Sequence, residues 1–355
     1  MITSILTGFV SVVSAIYLLD RMAHHIEFQD VPGGRKRHHT STSLVGGIAM
    51  VAGILTLAFT NTGLFGDEKI VLASMVVLMS VGVLDDIRDI SAYPRLMVQL
   101  GSACAIFYFQ DLRFLHIGDL LGFGDIGLGQ LAVVFTCIAV VGGINAVNMI
   151  DGLDGLSGGL ASIAFGGVAI LSYSAGQTDI LMLSGLMLAC TLGYLMYNFR
   201  FPWNKQARVF MGDSGAYVLG FMIVVIFLKV TQAETAVVAP VTVLWLLALP
   251  LMDCARLLLF RARQGRSPFS DDREHIHYLL VDRGMSVERT VNLLCLSGAV
   301  VASTGLALHF LQVSEKVSLV LFLLLIIGYF CVVHRIRALP TSNNTHLVND
   351  FVAGG

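Results

Sequence analysis

Charged residues are scarce in this sequence. Only 13% of its 355 residues are Asp, Glu, Lys or Arg, against about 25% in soluble domains, whereas 56% are hydrophobic. The six cysteines lie in apolar runs without a CxxC pair, which argues against a disulfide framework or a zinc site. The ATP-binding pattern GxxxxGK[ST] is missing, and no basic segment precedes the first apolar run as it would in a signal peptide. We therefore expect an integral membrane protein that keeps its first span.

What the sequence does contain is a series of apolar stretches, each near the roughly 20 residues that a membrane-spanning helix needs. These stretches are 2–20, 44–62, 69–84, 94–110, 130–148, 155–175, 179–198, 214–231, 237–260, 289–311 and 317–335. We expect an all-α polytopic membrane protein with about eleven transmembrane helices. Ten is the alternative, because the third and fourth stretches are short and interrupted by charge. The organisation predicted is one membrane domain over 1–339 and a short cytoplasmic tail over 340–355.

The basic residues predict the orientation, because Lys and Arg are retained in cytoplasmic loops. Eleven alternating spans place every Lys and Arg on one side or at its helix ends, except Lys69, Arg113, Lys229 and Lys316. The N-terminus is then periplasmic and the C-terminus cytoplasmic. Nearly all clusters of Asp, Asn and His fall on the same side, although topology signals do not need these residues. The cytoplasmic face is therefore predicted to carry a functional site.

Two adjacent carboxylates, Asp85 and Asp86, end the third stretch in GVLDDIRDI. A charge at the centre of a spanning helix costs about 2.5–3.5 kcal/mol on insertion scales, so acidic pairs near spans tend to be paired or functional. A solvated helix end is the alternative interpretation. Adjacent carboxylates also suit proton abstraction, because their mutual repulsion makes one of them a better proton acceptor.

The segment NAVNMIDGLDGLSGG places four oxygen-bearing side chains at intervals of three, so that neighbouring members can share a helix face. They are Asn145, Asn148, Asp151 and Asp154. Oxygen ligands without sulfur suit Mg²⁺ or Mn²⁺ rather than zinc. A glycine-rich turn with Asn and Asp as caps is the alternative.

The segment VFMGDSG places Asp213 between two glycines at the start of a span, with Phe210 before it. Asp213 could share a metal with Asn148, and the ring of Phe210 could stack on a nucleobase. An ordinary helix cap is the equal alternative for Asp213.

Basic residues cluster in the last large loop and after the first span. In RARQGRSPFSDDREHIHYLL the arginines suit phosphate, although the positive-inside pattern also explains them. That pattern does not explain His275 and His277, which would converge only if the backbone there is extended. The earlier segment, DVPGGRKRHHTSTSLVGG, includes Lys36 and suits either anionic headgroups or the phosphate of a lipid substrate.

The motif order DxPxxRKxH, DDxxD, NAxNxxDGxDGL, VFMGDxG and SPFSxDRxHIH resembles the polyprenyl-phosphate N-acetylhexosamine-1-phosphate transferase superfamily over about residues 20–290. The first and last motifs are most similar to the branch that uses UDP-GlcNAc and undecaprenyl phosphate, and less similar to the peptidoglycan branch. Tyr278 and Ser43 depart from that branch, which has His and Pro at these positions.

This resemblance implies a multi-pass enzyme of the bacterial inner membrane. It would transfer GlcNAc 1-phosphate to undecaprenyl phosphate and release UMP, as the first membrane step of O-antigen or surface polysaccharide synthesis. Another UDP-N-acetylhexosamine is the alternative donor. Membrane lipid and a second copy of the chain are candidate partners, and nucleic acid is not expected to be one.

The resemblance also implies roles for individual residues. Asn148 and Asp213 would hold Mg²⁺, with Mn²⁺ as an alternative, and one of Asp85 and Asp86 would act as a base beside the lipid phosphate. The other residues assigned to catalysis are Asp151, Asp154, His275 and His277.

Substrate binding is assigned in the same way. Phe210 would stack on uracil, and Lys36 and Arg95 would contact phosphates. The other residues assigned to substrate binding are Asn145, Arg261, Arg263, Arg266 and Arg273.

Two other classes compete with the transferase. A secondary transporter would also have intramembrane carboxylates and glycine-broken helices, but it predicts polar residues at mid-membrane and two related halves, neither of which the sequence shows. A membrane scaffold without activity leaves the carboxylates and the HIH sequence unexplained.

Overall fold

The computed structural model describes residues 2–26, 28–30, 41–60, 68–202, 204–232, 238–267 and 273–340. The helices in these ranges are α1 Ile2–Ile26, α2 Gly46–Thr60, α3 Lys69–Arg88, α4 Ala92–Phe109, α5 Ala132–Ile150, α6 Leu156–Ser174, α7 Thr178–Asn198, α8 Gly212–Gln232, α9 Pro240–Leu246, α10 Ala248–Arg263, α11 Ile276–Asp282, α12 Val287–Phe310 and α13 Glu315–Ala338. Two short antiparallel strands, β1 Gln29–Asp30 and β2 Thr42–Ser43, pair Gln29 with Ser43 and Asp30 with Thr42. The predicted all-α, multi-pass architecture is confirmed.

Eight helices in the described ranges are long and apolar enough to cross a membrane: α1, α3, α5, α6, α7, α8, α12 and α13. A ninth span would consist of α9 and α10, which meet at 86°. The bend lies at Leu247, because Pro250 has no N–H to donate to the carbonyl of Leu246. All eleven predicted stretches fall on helices, but α2 is short at 15 residues and α4 begins with polar residues. The count of eleven spans therefore stays a prediction.

Helix α8 forms the centre of the bundle and packs against α2, α3, α5 and α6. Within its apolar stretch, 94% of the residues are buried. Glycines let neighbouring backbones approach it closely: a Cβ on Gly82 would lie 2.3 Å from Cα of Ser214, and one on Gly47 would lie 2.2 Å from N of Gly215. The first turn of α8 is thereby held against both α2 and α3.

Polar residues separate to the two ends of the bundle. One end, the site end, holds the C-termini of α3 and α5 and the N-terminus of α8. At the far end Lys229 pairs with Glu68, next to Lys69, and Gln232 accepts a hydrogen bond from the N–H of Leu115. The other two basic residues predicted to lie opposite the site, Arg113 and Lys316, are also at the far end. These four basic residues thus lie together at the end opposite the site, whereas the orientation of the bundle in the membrane stays a prediction.

The last two helices lie on the periphery, with 28% of the apolar stretch buried in α12 and 17% in α13. Polar contacts nevertheless tie α13 to the bundle. Nε1 of Trp245 donates to Oγ of Ser318 at 3.1 Å, and the hydroxyl of Tyr329 donates to Asp253 at 2.8 Å. The predicted tail lies outside the described residues from 341 onward.

Candidate active site

The N-terminus of α8 is capped by an aspartate from another helix. Oδ1 of Asp86 accepts from the backbone N–H of Asp213 at 2.8 Å, and Oδ2 accepts from that of Ser214 at 3.4 Å. The first N–H groups of a helix have no intrahelical partner and favour a negative charge. Gly212 has φ +69°, and a Cβ there would lie 2.5 Å from Oδ2 of Asp86, so glycine is required. The motifs DDxxD and VFMGDxG therefore meet.

Asn148, in the last turn of α5, lies beside Asp213. Its Nδ2 donates to Oδ1 of Asp213 at 2.5 Å. The two residues are thus close enough to share a metal, which stays a prediction, and rotation of the amide would turn its oxygen toward the same space. The regular spacing does not place all four residues of that motif on one helix, because α5 ends at Ile150 and the two aspartates lie in the following turn.

Asp85 lies beside Asp213 and also takes part in a network of its own. It is 4% exposed, and its carboxylate accepts from Arg95 at 2.7 Å, from the hydroxyl of Tyr217 at 2.7 Å and from N of Ile90 at 3.0 Å. Its charge is thus paired. Sequence reasoning missed Tyr217, whose only signal is a hydroxyl within an apolar stretch.

Asp154 is paired as well. Its Oδ2 accepts from Nε of Arg200 at 2.8 Å, lies 2.7 Å from Nη2, and also accepts from N of Ala207 at 3.4 Å. Arg200 was not predicted as a site residue, although it is a basic residue directly after a predicted span. The pair fixes the turn after α5 to the segment between α7 and α8.

Asp151 has no basic partner in the described part of the chain. Burial raises the pKa of its carboxyl to about 7, and the charges of Asp86 and Asp154 act in the same direction, while the hydroxyl of Ser157, which donates at 2.5 Å, opposes them. A carboxyl that titrates near neutrality is typical of functional sites.

The carboxylates of the site, which are buried or half-buried, thus form two groups. Arg95 and Arg200 balance Asp85 and Asp154, whereas no described Lys or Arg pairs with Asp86, Asp151 or Asp213. Buried negative charges without a counter-charge are costly. Their oxygen atoms, together with the amide of Asn148, fit a hard divalent cation such as Mg²⁺ or Mn²⁺.

The two histidines reach this region from the start of α11. His275 has extended backbone angles, φ −62° and ψ 144°, and the two rings stack with centroids 5.3 Å apart. The predicted condition for their convergence is thus met. Nε2 of His277 lies 2.1 Å from the position that a Cβ on Gly152 would occupy. His277 therefore contacts the turn that carries Asp151 and Asp154.

His277 is 0% exposed, and neither ring nitrogen has a hydrogen-bond partner among the described residues. Burial, helped by the neighbouring His275, lowers the pKa of His277 to about 3. The ring is therefore neutral near pH 7 and offers one donor and one acceptor rather than a positive charge.

The predicted arginines divide between buried and exposed positions. Arg273 makes two hydrogen bonds to Asp282, at 2.9 and 3.2 Å, and lies 4.5 Å above the ring of Tyr278. Arg261 is buried in α10, whereas Arg263, the last residue of α10, and Arg266, which follows the helix, are exposed.

Other predicted binding residues have protein partners here. Nδ2 of Asn145 donates to Oε1 of Gln99 at 2.7 Å, which links α5 to α4. The backbone N–H of Phe210 donates to the carbonyl of Ser43 at 2.8 Å, which places this residue beside β2. Lys36 and residues 268–272 of the last motif lie outside the described residues.

Comparison with known proteins shows the family of this chain. A model of glycosyl transferase family 4 matches residues 69–231. The undecaprenyl-phosphate alpha-N-acetylglucosaminyl 1-phosphate transferase of Escherichia coli strain K12 is 35% identical over 93% of this chain and 90% of its own length. Proteins of the same name are 34% identical in Haemophilus influenzae, over 94% of both chains, and 35% identical in Yersinia pestis, over 94% and 91%. The chain belongs to glycosyl transferase family 4.

The glycosyl transferase family 4 match covers α3 to α8, which carry the whole carboxylate cluster and Arg200. It stops before the histidines and begins after Lys36. The similarity to the E. coli transferase covers 93% of the chain. The resemblance found in the motifs is confirmed.

Proposed function

We propose that this chain transfers N-acetylglucosamine 1-phosphate from UDP-GlcNAc to undecaprenyl phosphate in the bacterial inner membrane. One observation carries the proposal: three half-buried carboxylates without a basic partner among the described residues, Asp86, Asp151 and Asp213, lie at one end of the bundle beside Asn148. The relatives named for this reaction support the choice of substrates.

Phosphoryl transfer depends on positioning and on neutralising the charge of the pyrophosphate. Asn148 and Asp213 would hold Mg²⁺, or Mn²⁺, at the site end. When bound, the ion supplies Lewis-acid polarisation and charge neutralisation to the phosphate oxygens. An oxygen of the lipid phosphate forms the new bond to the β-phosphorus, and the bond from that phosphorus to the bridging oxygen breaks. UMP leaves with the electron pair.

The two adjacent aspartates have different roles in this proposal. Both carboxylate oxygens of Asp85 already accept hydrogen bonds from protein groups. The role of Asp85 is therefore to hold the guanidinium of Arg95, which lies toward the phosphates. Asp86 has no basic partner among the described residues and is the base that takes a proton from the lipid phosphate.

His277 recognises the sugar rather than the phosphates. Its ring is neutral, and both nitrogens are buried without a partner in the part of the chain that the structure describes. Such unsatisfied groups cost about 1–3 kcal/mol each, a cost that a hydroxyl or acetamido group would relieve. Arg200 keeps Asp154 in the wall of the nucleotide pocket.

The site end faces the cytoplasm in this proposal, with the N-terminus periplasmic. The division of basic residues between the two ends of the bundle supports this orientation, because Lys and Arg are enriched on the cytoplasmic side. A cytoplasmic site would meet the soluble UDP-sugar directly, while the acceptor would enter from the bilayer.

The test is transfer of label from UDP-[14C]GlcNAc to undecaprenyl phosphate by the purified protein, with and without Mg²⁺. We expect butanol-soluble label that depends on Mg²⁺ and is lost in Asp213→Ala. If label is transferred from another UDP-N-acetylhexosamine but not from UDP-GlcNAc, the transferase reaction stands and GlcNAc is excluded as its sugar. If the folded protein is inactive with every donor, the proposed transferase function is wrong and a secondary transporter is favoured.

A further inference from the structure

A second polar network lies behind the histidines and is centred on Asp253 of α10, which is 1% exposed. Oδ1 accepts from Nη2 of Arg256 at 3.0 Å and from the hydroxyl of Tyr329 at 2.8 Å. Oδ2 lies 2.9 Å from Nδ1 of His275. Asp253 thus joins α10, the start of α11 and the last membrane helix.

This arrangement selects the tautomer of His275. Arg256 balances the charge of Asp253, so its carboxylate is an acceptor only, and the hydrogen between the two groups must be carried by Nδ1. In the neutral ring Nε2 is then the acceptor, and its direction is fixed. Since the ring of His277 stacks on His275 and touches Gly152, the position of His275 influences where His277 meets the turn of Asp151.

A metal ion is the competing explanation, because Asp253, His275 and His277 offer ligand atoms that lie within 4.8 Å of one another. The details favour hydrogen bonding. Arg256 already balances the charge of Asp253, and both carboxylate oxygens accept hydrogen bonds. The two rings are inclined by only 23°, so they lie nearly parallel instead of converging on one point.

We propose that Asp253 is a positioning residue of the donor site. Together with Tyr329 and Arg256 it holds His275 with its hydrogen on Nδ1, so that the last membrane helix supports the recognition of the UDP-sugar. The effect on catalysis rests on the transferase function proposed above. In metal sites, mutation of a group that orients a histidine in this way typically lowers metal affinity or activity 10- to 100-fold.

Kinetics of matched variants on α13 test the proposal. Tyr329→Phe removes the hydrogen bond to Asp253, whereas Ser318→Ala removes the bond of the same helix to Trp245. We expect Tyr329→Phe to lower kcat/KM for UDP-GlcNAc about tenfold, with KM for undecaprenyl phosphate unchanged, and Asp253→Asn to lower it about 100-fold. Ser318→Ala should stay near the wild type. Equal losses in both α13 variants, or equal effects on both substrates, would show a merely structural role and overturn the proposal.

A spectroscopic measurement separates this proposal from the function itself. In protein labelled with [15N]histidine, the signals absent from His275→Gln identify His275, and we expect the Nδ1–H tautomer in the wild type and its loss in Asp253→Asn. The Nε2–H tautomer in the wild type would overturn the proposal. So would one equivalent of a transition metal that Asp253→Asn no longer binds. The expected tautomer in a protein without transferase activity would refute the function but retain the role of Asp253 in orienting His275.

Discussion

The backbone N–H of Asp213 donates to Oδ1 of Asp86 across 2.8 Å, although 127 positions separate the two residues in the chain. The carboxylate of Asp86 therefore has two possible contributions, a helix cap and a negative charge at the site. An amide in its place would keep an oxygen for the cap and remove the charge, so substitution can separate them.

We expect Asp86→Asn to unfold at nearly the wild-type temperature but to lose most of its transferase activity, because the cap remains and the base does not. Asp86→Ala should lose activity and also about 0.5–2 kcal/mol of stability, the usual effect of losing a helix cap. Thermal unfolding in detergent and the label-transfer assay measure the two effects. Wild-type activity in Asp86→Asn would mean that the carboxylate serves only as a cap.

Close packing at Gly82 predicts a different kind of effect. A Cβ there would lie 2.3 Å from Cα of Ser214, in the first turn of α8, so Gly82→Ala should cost about 1–3 kcal/mol and displace Asp213. Gly142→Ala is the control, because a Cβ on Gly142 meets nothing within 4 Å and alanine favours the helix. Thermal unfolding and activity are compared. Equal stability of the two variants would contradict the close approach of α3 and α8.

The sequence predicted the positions of the helices and the grouping of polar residues at one end, because the bilayer confines apolar runs and excludes charge from its centre. It also raised the possibility that Asn148 and Asp213 share a metal, since both lie in motifs at span ends, with a helix cap as the equal alternative for Asp213. It could not predict which arginine balances which carboxylate. Arg95 pairs with Asp85 and Arg200 with Asp154, and such pairings depend on tertiary contacts between distant segments.

The last helices show the same limit. Nothing in the sequence of α13 distinguishes Tyr329 from a lipid-facing tyrosine, and its contact with Asp253 follows only from how α13 packs beside α10. The bend at Leu247 had a local signal in Pro250, but a single long stretch over 237–260 was predicted there. Hydropathy does not detect a change of direction within an apolar run.

The pair of Asp154 and Arg200 predicts non-additive effects. Removal of either partner leaves a half-buried charge without its counter-charge, which destabilises the fold. We expect Asp154→Ala and Arg200→Ala each to lower the unfolding temperature, and the double variant to be more stable than the sum of the two effects predicts, by about 0.5–3 kcal/mol. Additive losses would show that the 2.7 Å contact contributes nothing to stability.

Ser157 controls the ionisation of Asp151, which gives a prediction for the pH profile. Its hydroxyl donates to the carboxylate at 2.5 Å and favours the charged form, opposing the burial that raises the pKa of Asp151 to about 7. Ser157→Ala therefore raises this pKa further. If ionised Asp151 is the active form, as a wall of a cation-dependent site requires, activity falls as pH drops through the pKa, and the acidic limb of kcat/KM moves to higher pH.

Ser162→Ala is the matched control on the same helix, because Oγ of Ser162 donates only to the carbonyl of Gly158 and should leave the profile unchanged. Asp151→Asn should abolish the acidic limb together with most of the activity. If Ser157→Ala instead moves the alkaline limb to higher pH, Asp151 acts in its protonated form. The carboxyl would then be a proton donor to the leaving UMP, and the negative charge that attracts the cation would come from Asp86 and Asp213 alone.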